Sequence, residues 1–163
     1  MVKRKLGKRL IAGLLAGLSL VLIAATPAAA GGGYPPCLSA CDNQDPSTYV
    51  TASGFTCASD ALTKGTAATA NANIELRYSN RCEVTWGRKN ITGTAFNDII
   101  HYSYYDYGYT IRAVQRNPWA RSGPWTTMYN DHGLYNRVCI EDFDNEQDYV
   151  NGVLHDRECT GLF

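Results

Sequence analysis

The chain has 163 residues, of which six are cysteine and eleven are tyrosine, and its formal net charge at neutral pH is zero. Five of its fifteen basic residues lie within the first nine positions, so residues 31–163 carry ten Lys and Arg against fifteen Asp and Glu, a formal charge of −5. This acidic balance argues against nucleic acid and anionic membrane surfaces as partners, because both are bound through basic patches.

Residues 1–30 have the pattern of a secretory signal peptide. A basic start is followed by an apolar run at 10–25 and by three alanines at 28–30. This order predicts cleavage after Ala30 and a secreted, extracellular protein. A membrane-spanning helix needs about twenty apolar residues, so we expect no stable membrane insertion. Residues 31–36, which are Gly, Tyr and Pro, are then a flexible leader.

All the cysteines follow the predicted cleavage point, and an even number in a small exported chain predicts three disulfides. No C-x-x-C pair and no cysteine and histidine cluster with zinc-ligand spacing is present, so we expect no metal and no other cofactor. The six disulfide candidates are Cys37, Cys41, Cys57, Cys82, Cys139 and Cys159.

The first predicted element is an irregular cysteine-rich segment over residues 37–60. It has little hydrophobic periodicity, and Asp45-Pro46 and Gly54 favour turns. One or two helical turns are predicted near residues 58–63. Alternating apolar residues at 74–78 and at 82–86, separated by a short polar connection, then predict a β-hairpin with a single apolar face turned inward.

Four further strands are predicted at residues 97–105, 107–115, 125–129 and 134–140. Glycine or proline lies in most of the gaps between them. Five or six short strands at this spacing predict a mostly β single domain over residues 37–163, either a small disulfide-stabilised barrel or a sandwich.

Three short sequence motifs carry a family resemblance. They are C-D-N-Q-D-P at 41–46, C-A-S-D-A at 57–61 and E-L-R-Y-S-N-R-C-E-V-T-W-G-R at 75–88. In order and spacing they resemble the YjfA family, also called DUF2690, which consists of exported proteins of Gram-positive bacteria and is most abundant in actinomycetes. The family has no established activity or ligand. Because the likeness is strongest around the first four cysteines, it implies that these pair among themselves and that Cys139 pairs with Cys159.

The motif at 75–88, which lies in the predicted hairpin, also has a physical interpretation. Glu75 and Arg77 lie on the same side of a strand and predict a surface ion pair, which is worth about 0–1 kcal/mol. Trp86 is in register with Val84 and Cys82, so we expect it to be a core residue that packs on a disulfide.

The three histidines each have carboxylates close by in sequence: Asp98 and Asp106 beside His101, Asp131 beside His132, and Asp156 beside His155. A histidine and an acid are two parts of a hydrolase triad, but no G-x-S-x-G nucleophile is present. Paired carboxylates could also hydrolyse a glycoside, although no motif nominates the pair. We therefore predict no catalytic residue and keep a small secreted hydrolase as an alternative.

Residues 141–148 are the most acidic stretch of the chain. Their alternating oxygen side chains resemble a calcium loop, but Gln147 replaces the required glycine and Val153 the final glutamate, which excludes an EF-hand. An irregular calcium site and a solvated acidic loop both stay open.

The segment 101–109 contains five tyrosines. As one strand it would place Tyr105, Tyr107 and Tyr109 on one face and Tyr102 and Tyr104 on the other, so one face could fill the core while the other offers rings to a partner. These five residues are the candidate ligand-binding set. The sequence thus predicts a secreted, non-catalytic module that binds a glycan or a protein at the cell surface, with a structural surface component as a further alternative.

Overall fold

The computed structural model describes residues 36–91, 96–118 and 124–163. The predicted signal peptide at 1–30 and residues 31–35 of the predicted leader lie outside the described residues. Within the described ranges, no helix has the length and apolar character needed to cross a membrane.

In this part of the chain, eight strands form two antiparallel sheets. The first sheet contains β1 (Leu62–Ala68), β2 (Ala72–Ser79), β3 (Val84–Ile91) and β6 (Tyr129–Asn130), in the order β1-β2-β3-β6. The second contains β4 (Phe96–Tyr104), β5 (Ile111–Asn117), β7 (Tyr135–Phe143) and β8 (Asp156–Cys159), in the order β5-β4-β7-β8. Two 3-10 turns, Leu38–Cys41 and Cys57–Asp60, and one short helix, α1 (Glu146–Asn151), complete the described elements.

The two sheets pack face to face as a sandwich, which confirms the predicted mostly β class. Their shared core includes the fully buried Ile74 and Leu76 of β2, Ile99 of β4, and Val138 and Ile140 of β7. The described strands form a sandwich-like pair of sheets and no closed barrel. Alternate residues along each strand therefore point into this core, and the residues between them point outward.

The outer face of the first sheet is covered by the cysteine-rich N-terminal segment. Val84 and Trp86 of β3 are buried in a cluster with Cys41, Cys57 and Cys82, so the prediction that Trp86 is a core residue beside a disulfide is confirmed. The segment is irregular apart from its two 3-10 turns, as its turn-forming residues predict.

The prediction that the β2–β3 hairpin has a single apolar face is wrong. Leu76 lies opposite Gly87, whereas Trp86 lies opposite Arg77, so Ile74 and Leu76 face the second sheet and Trp86 faces away from it. The turn sets this register: β2 and β3 close on the pair Ser79 and Val84, with Glu83 in the left-handed region at φ 53°. A shift of one residue moves every side chain to the opposite face.

The predicted ion pair between Glu75 and Arg77 is present, with 3.0 Å between Oε2 and Nη1, and Arg88 on β3 adds a second at 2.8 Å. Burial alone would raise the pKa of Glu75, but hydrogen bonds from Arg88, Thr63 and Arg77 hold it below the ordinary value. The pair thus belongs to a partly buried network.

The disulfides join Cys37 to Cys41, Cys57 to Cys82, and Cys139 to Cys159. This pattern confirms three disulfides, the pairing of the last two cysteines, and the self-contained set among the first four. The Cys139–Cys159 bridge joins β7 to β8 at directly opposed positions.

Several element boundaries differ from the predictions. The strand predicted at 107–115 begins at Ile111, the strand predicted at 125–129 is reduced to Tyr129–Asn130, and the one predicted at 134–140 continues to Phe143. Strands β1 and β8 and helix α1 were not predicted. The sequence of β1, L-T-K-G-T-A-A, has no alternating apolar pattern, and α1 has only six residues, held at its start by the Asn145 side chain.

Candidate functional site

The outer face of the second sheet carries tyrosine, arginine and carboxylate side chains that lie close together. Residues that lie opposite each other in neighbouring strands point to the same side. Tyr104 pairs with Tyr135, and Tyr102 with Arg137, on β4 and β7. Ile99 and Val138 fill the core, and alternation along β4 and β7 places these four residues on the opposite side, so they point away from it.

Six tyrosines gather at one end of this face, and we call this group the tyrosine patch. Tyr102 and Tyr104 stack with centroids 5.9 Å apart and planes within 12°, Tyr109 meets Tyr104 edge-on at 5.3 Å, and Tyr107 lies 4.0 Å from Tyr135. The patch consists of Tyr102, Tyr104, Tyr105, Tyr107, Tyr109 and Tyr135. Four of the five predicted binding tyrosines therefore have ring contacts within the patch, and the fifth, Tyr105, follows Tyr104 directly at the end of β4.

The predicted arrangement of these tyrosines on one strand is wrong. Strand β4 ends at Tyr104, and residues 105–110 form a loop that reverses the chain into β5. The loop is closed by Tyr105 N donating to Thr110 O at 2.9 Å, and by Thr110 N donating to the Asp106 carboxylate at 3.1 Å. These local hydrogen bonds replace the strand ladder that the tyrosine content favours.

The rings differ in their contact with solvent. Tyr105, Tyr107 and Tyr109 are 58%, 68% and 48% exposed, Tyr102 is half-buried, and Tyr104 is only 2% exposed. Burial raises the pKa of Tyr104 against the opposing effect of Arg137. Tyr104 thus forms the buried base of the patch and supports the rings that solvent reaches.

Two arginines that the sequence analysis did not single out hold the patch in place. The Nε of Arg137 donates to the Tyr104 hydroxyl at 3.0 Å, and its guanidinium lies 4.9 Å from the centroid of the Tyr109 ring. The Nη2 of Arg157 donates to the Tyr102 hydroxyl at 2.7 Å. Alternation along the last long strand could have placed Tyr135 and Arg137 on one face, but no sequence signal showed that β7 lies beside β4 and β8 beside β7.

A cleft of about 450 Å³ lies toward the other end of the same face, and we call it the helix cleft because α1 forms one wall. At its base, Arg116 Nη1 donates to Asp98 Oδ2 at 2.6 Å and to Glu141 Oε2 at 2.7 Å. Burial alone would lower the pKa of Arg116, but these hydrogen bonds raise it above its ordinary value. The lining residues are Asp98, Arg116, Glu141, Phe143, Tyr149, Val150, Gly152 and Leu154.

Arg157 connects the helix cleft with the tyrosine patch. Its Nη1 lies 3.6 Å from Glu141 Oε1 in the cleft, while its Nη2 contacts Tyr102 in the patch. Asp98 and Glu141 are paired across β4 and β7, as are Tyr102 and Arg137 further along the same strands. The patch and the cleft therefore lie on one face of one sheet.

His101 is fully buried between the two sheets and cannot meet a substrate. Its Nε2 lies 3.2 Å from the Thr85 hydroxyl, and its Nδ1 lies 3.3 Å from the Thr127 carbonyl oxygen. Burial lowers its pKa to about 4, although Thr127 and the charge of Asp42 act in the opposite direction. This histidine has a structural role.

The two exposed histidines pair with acids other than their sequence neighbours. His132 Nδ1 lies 2.7 Å from Glu83, and His155 Nδ1 lies 3.1 Å from Asp144. His132 and Glu83 line a small cavity of about 230 Å³ with Asp131, whose pKa burial raises to about 6. The acids that pair with these two histidines are therefore not their neighbours in the sequence, Asp131 and Asp156.

The acidic segment 141–148 is divided between two elements. Glu141 and Asp142 are buried near the end of β7, whereas Glu146 is exposed at the start of α1. Among the described residues, the side chains of metal-binding type that converge within 4.8 Å are Cys37, Cys41 and Cys57. All three are oxidised in disulfides, so they offer no thiolate.

Comparison with known proteins gives one match. A family profile described as "Protein of unknown function (DUF2690)" matches residues 39–138, which is more than half of the chain. No curated protein and no solved structure matches the chain.

Proposed function

Because the chain belongs to the DUF2690 family, which is described only as proteins of unknown function, we propose a function from its own surface: an exported, non-catalytic binding module of the YjfA type. In this proposal the tyrosine patch binds a glycan or a protein at the surface of a Gram-positive, actinomycete-type cell. The observation that carries it is the gathering of exposed rings from β4, the 105–110 loop and β7 on one outer face.

The physical chemistry of the patch suits recognition. Tyrosine offers a large apolar ring and a polar tip, and each stacked ring contributes about 0.5–1.5 kcal/mol beyond the burial of area. Contacts with Arg137 and Arg157 order Tyr102, Tyr104 and Tyr109 before a ligand arrives. Side chains that are already ordered lose little conformational entropy on binding, so more of the contact energy appears as affinity.

Two features support an extracellular location. The pattern of residues 1–30 is that of a cleaved signal peptide, after which the mature chain would begin at Gly31. The three disulfides use every cysteine of the chain, and disulfides persist mainly in oxidising compartments.

A hydrolase has less support. His101 is enclosed between the sheets, and its ring nitrogens contact Thr85 and Thr127. The paired carboxylates Asp98 and Glu141 do line a cleft, but a glycosidase needs one of its two acids as a proton donor. The oxygens of both that face Arg116 accept hydrogen bonds from it instead.

The test is retention of the mature chain on purified Gram-positive cell walls. Replacing Tyr105 and Tyr107 with alanine should abolish retention, because it removes the two most exposed rings of the patch. The free energy of unfolding should change by no more than about 0.5 kcal/mol, as is usual for surface substitutions.

A matched control is the pair Val50→Ala and Leu62→Ala, which removes exposed apolar side chains outside the patch and should leave retention intact. Retention that survives the double tyrosine substitution, or a wild-type chain that is never retained, contradicts the proposed function.

A further inference from the structure

We propose that the helix cleft is a second subsite on the same face, and that the ligand is a polymer of 2-acetamido sugars whose acetamido group enters the cleft. This inference rests on the proposed function and adds to it the chemical class of the ligand and a residue set that the tyrosine patch does not contain.

The cleft complements an acetamido group in three respects. The Oε1 atom of Glu141, which lies 3.6 Å from Arg157, can accept a hydrogen bond from an amide N–H, and the guanidinium of Arg116, about half exposed, can donate to an amide oxygen. Val150, Leu154 and Phe143 provide apolar lining for a methyl group. Val150 is 70% exposed, so burial of this side chain by a ligand methyl group would be favourable.

The charges of the cleft favour a neutral amide over an ammonium group. Two carboxylates, Asp98 and Glu141, face two guanidinium groups, Arg116 and Arg157. The local formal charge is therefore balanced, so an ammonium group would gain no net attraction from these four side chains. It would still lose hydration on entering the cleft, which is unfavourable for a charged group without a partner of its own.

The geometry also favours a polymer over a single sugar. From Tyr104 to Asp98 the strand β4 runs six residues, which is about 20 Å at the usual rise of a strand. Between these two positions the guanidinium of Arg157 contacts both Tyr102 and Glu141, so the patch and the cleft adjoin without a gap. A glycan chain lying along the strands could stack on the tyrosine rings and place one acetamido group in the cleft. The cleft volume of about 450 Å³ lies within the range of small-molecule sites.

The experiment is calorimetric titration of the mature chain with N-acetylglucosamine oligomers, from the monosaccharide to the hexasaccharide. The same lengths of de-acetylated glucosamine oligomers and of cello-oligosaccharides serve as comparison ligands. We expect affinity to rise with length, and the acetylated hexamer to bind at least tenfold more tightly than either comparison hexamer.

Two matched variants test the cleft itself. Val150→Asn replaces apolar lining with a neutral polar group and should weaken binding of the acetylated hexamer at least tenfold. Val153→Asn makes the same change at a side chain that is also more than half exposed but does not line the cleft, and binding should be unchanged.

The outcomes separate the two proposals. Equal binding of acetylated and non-acetylated oligomers, or loss of binding in the tyrosine variant but not in Val150→Asn, overturns the acetamido subsite and leaves the tyrosine patch standing. If cell-wall retention depends on the tyrosines but none of these oligomers binds, the 2-acetamido sugar is the wrong ligand class, and the tyrosine patch still stands as the binding surface. If replacing the tyrosines changes neither cell-wall retention nor the binding of the oligomers, both the proposed function and the acetamido subsite are overturned.

Discussion

The imidazole of His101 is held neutral by its surroundings. Its Nδ1 faces the carbonyl oxygen of Thr127, so this nitrogen carries the proton, and its Nε2 accepts from the hydroxyl of Thr85. Both polar atoms are satisfied without a charge, and burial opposes a second proton. The result is a lowered pKa of about 4.

We expect the ring signals of His101 in a nuclear magnetic resonance titration to stay those of the neutral Nδ1–H tautomer down to about pH 4. In the unfolded chain the ring gains a proton near pH 6.5. The unfolded state therefore binds more protons between these values, and stability falls as the pH drops from about 6.5 to about 4, by on the order of 3 kcal/mol. Protonation of His101 near pH 6.5 in the folded protein would contradict this prediction.

Asp131 provides the control for the stability curve, because its effect has the opposite sign. Burial raises its pKa to about 6, so the folded state binds more protons than the unfolded state between about pH 4 and pH 6. Its contribution falls as the pH rises. In Asp131→Asn, which keeps an oxygen for the Asn136 side chain, the rise in stability from pH 4 to pH 6.5 should become steeper.

At the scale of elements, the close approach of the two sheets depends on one glycine. Gly87 lies on the inner face of β3, opposite Leu76. A Cβ at this position would lie 2.7 Å from Val138 Cγ1 and 3.1 Å from Ile99 Cγ2. Because real Cβ atoms do not approach other atoms so closely, the strands β4 and β7 can reach their observed positions only when residue 87 has no side chain.

Gly87→Ala should therefore lower the free energy of unfolding by about 1–3 kcal/mol, the usual cost of overpacking a core. Denaturant unfolding measures this change. Gly161→Ala is the matched control, since a Cβ there meets nothing within 4 Å. Equal stabilities of the two variants would show that the sheets separate more easily than this packing implies.

At the scale of the whole molecule, the two sheets are covered unequally. The cysteine-rich segment packs on the outer face of the first sheet and buries Val84 and Trp86. The outer face of the second sheet instead carries the exposed tyrosines and the helix cleft. This asymmetry is what makes the second sheet the candidate binding face.

One disulfide ties the covering segment to the β2–β3 turn of the first sheet, and a second lies within the segment. Cys57–Cys82 closes a loop with a sequence separation of 25, and Cys37–Cys41 closes one of only 4. Because the stabilisation grows with loop length, replacing Cys57 and Cys82 by alanine should cost about 3.5 kcal/mol, and replacing Cys37 and Cys41 about 2 kcal/mol. Unfolding followed by tryptophan fluorescence compares the two, and a larger loss for the short loop would contradict the account.

The sequence predicted the local chemistry of this fold well. Alternation located β2, and strand-forming runs between turn residues located β4 and β7. The cysteine count predicted three bridges, and the family resemblance implied their two groups. The sequence analysis missed β1 and α1, because seven residues without periodicity and one short capped turn resemble loops. It extended the tyrosine strand too far, because strand-forming rings at 105, 107 and 109 are outweighed by the turn around Asp106.

What the sequence alone determined is what depends on composition and on neighbours along the chain: the β class, the number of disulfides and the presence of five tyrosines close together in the sequence. Only the tertiary structure decided which face each strand turns inward, because that depends on the pairing register across β2 and β3. It also brought Arg137 and Arg157 to the tyrosines and Arg116 to two carboxylates, through the order β5-β4-β7-β8. Such contacts join residues far apart in the chain, and no local pattern encodes which strands will lie side by side.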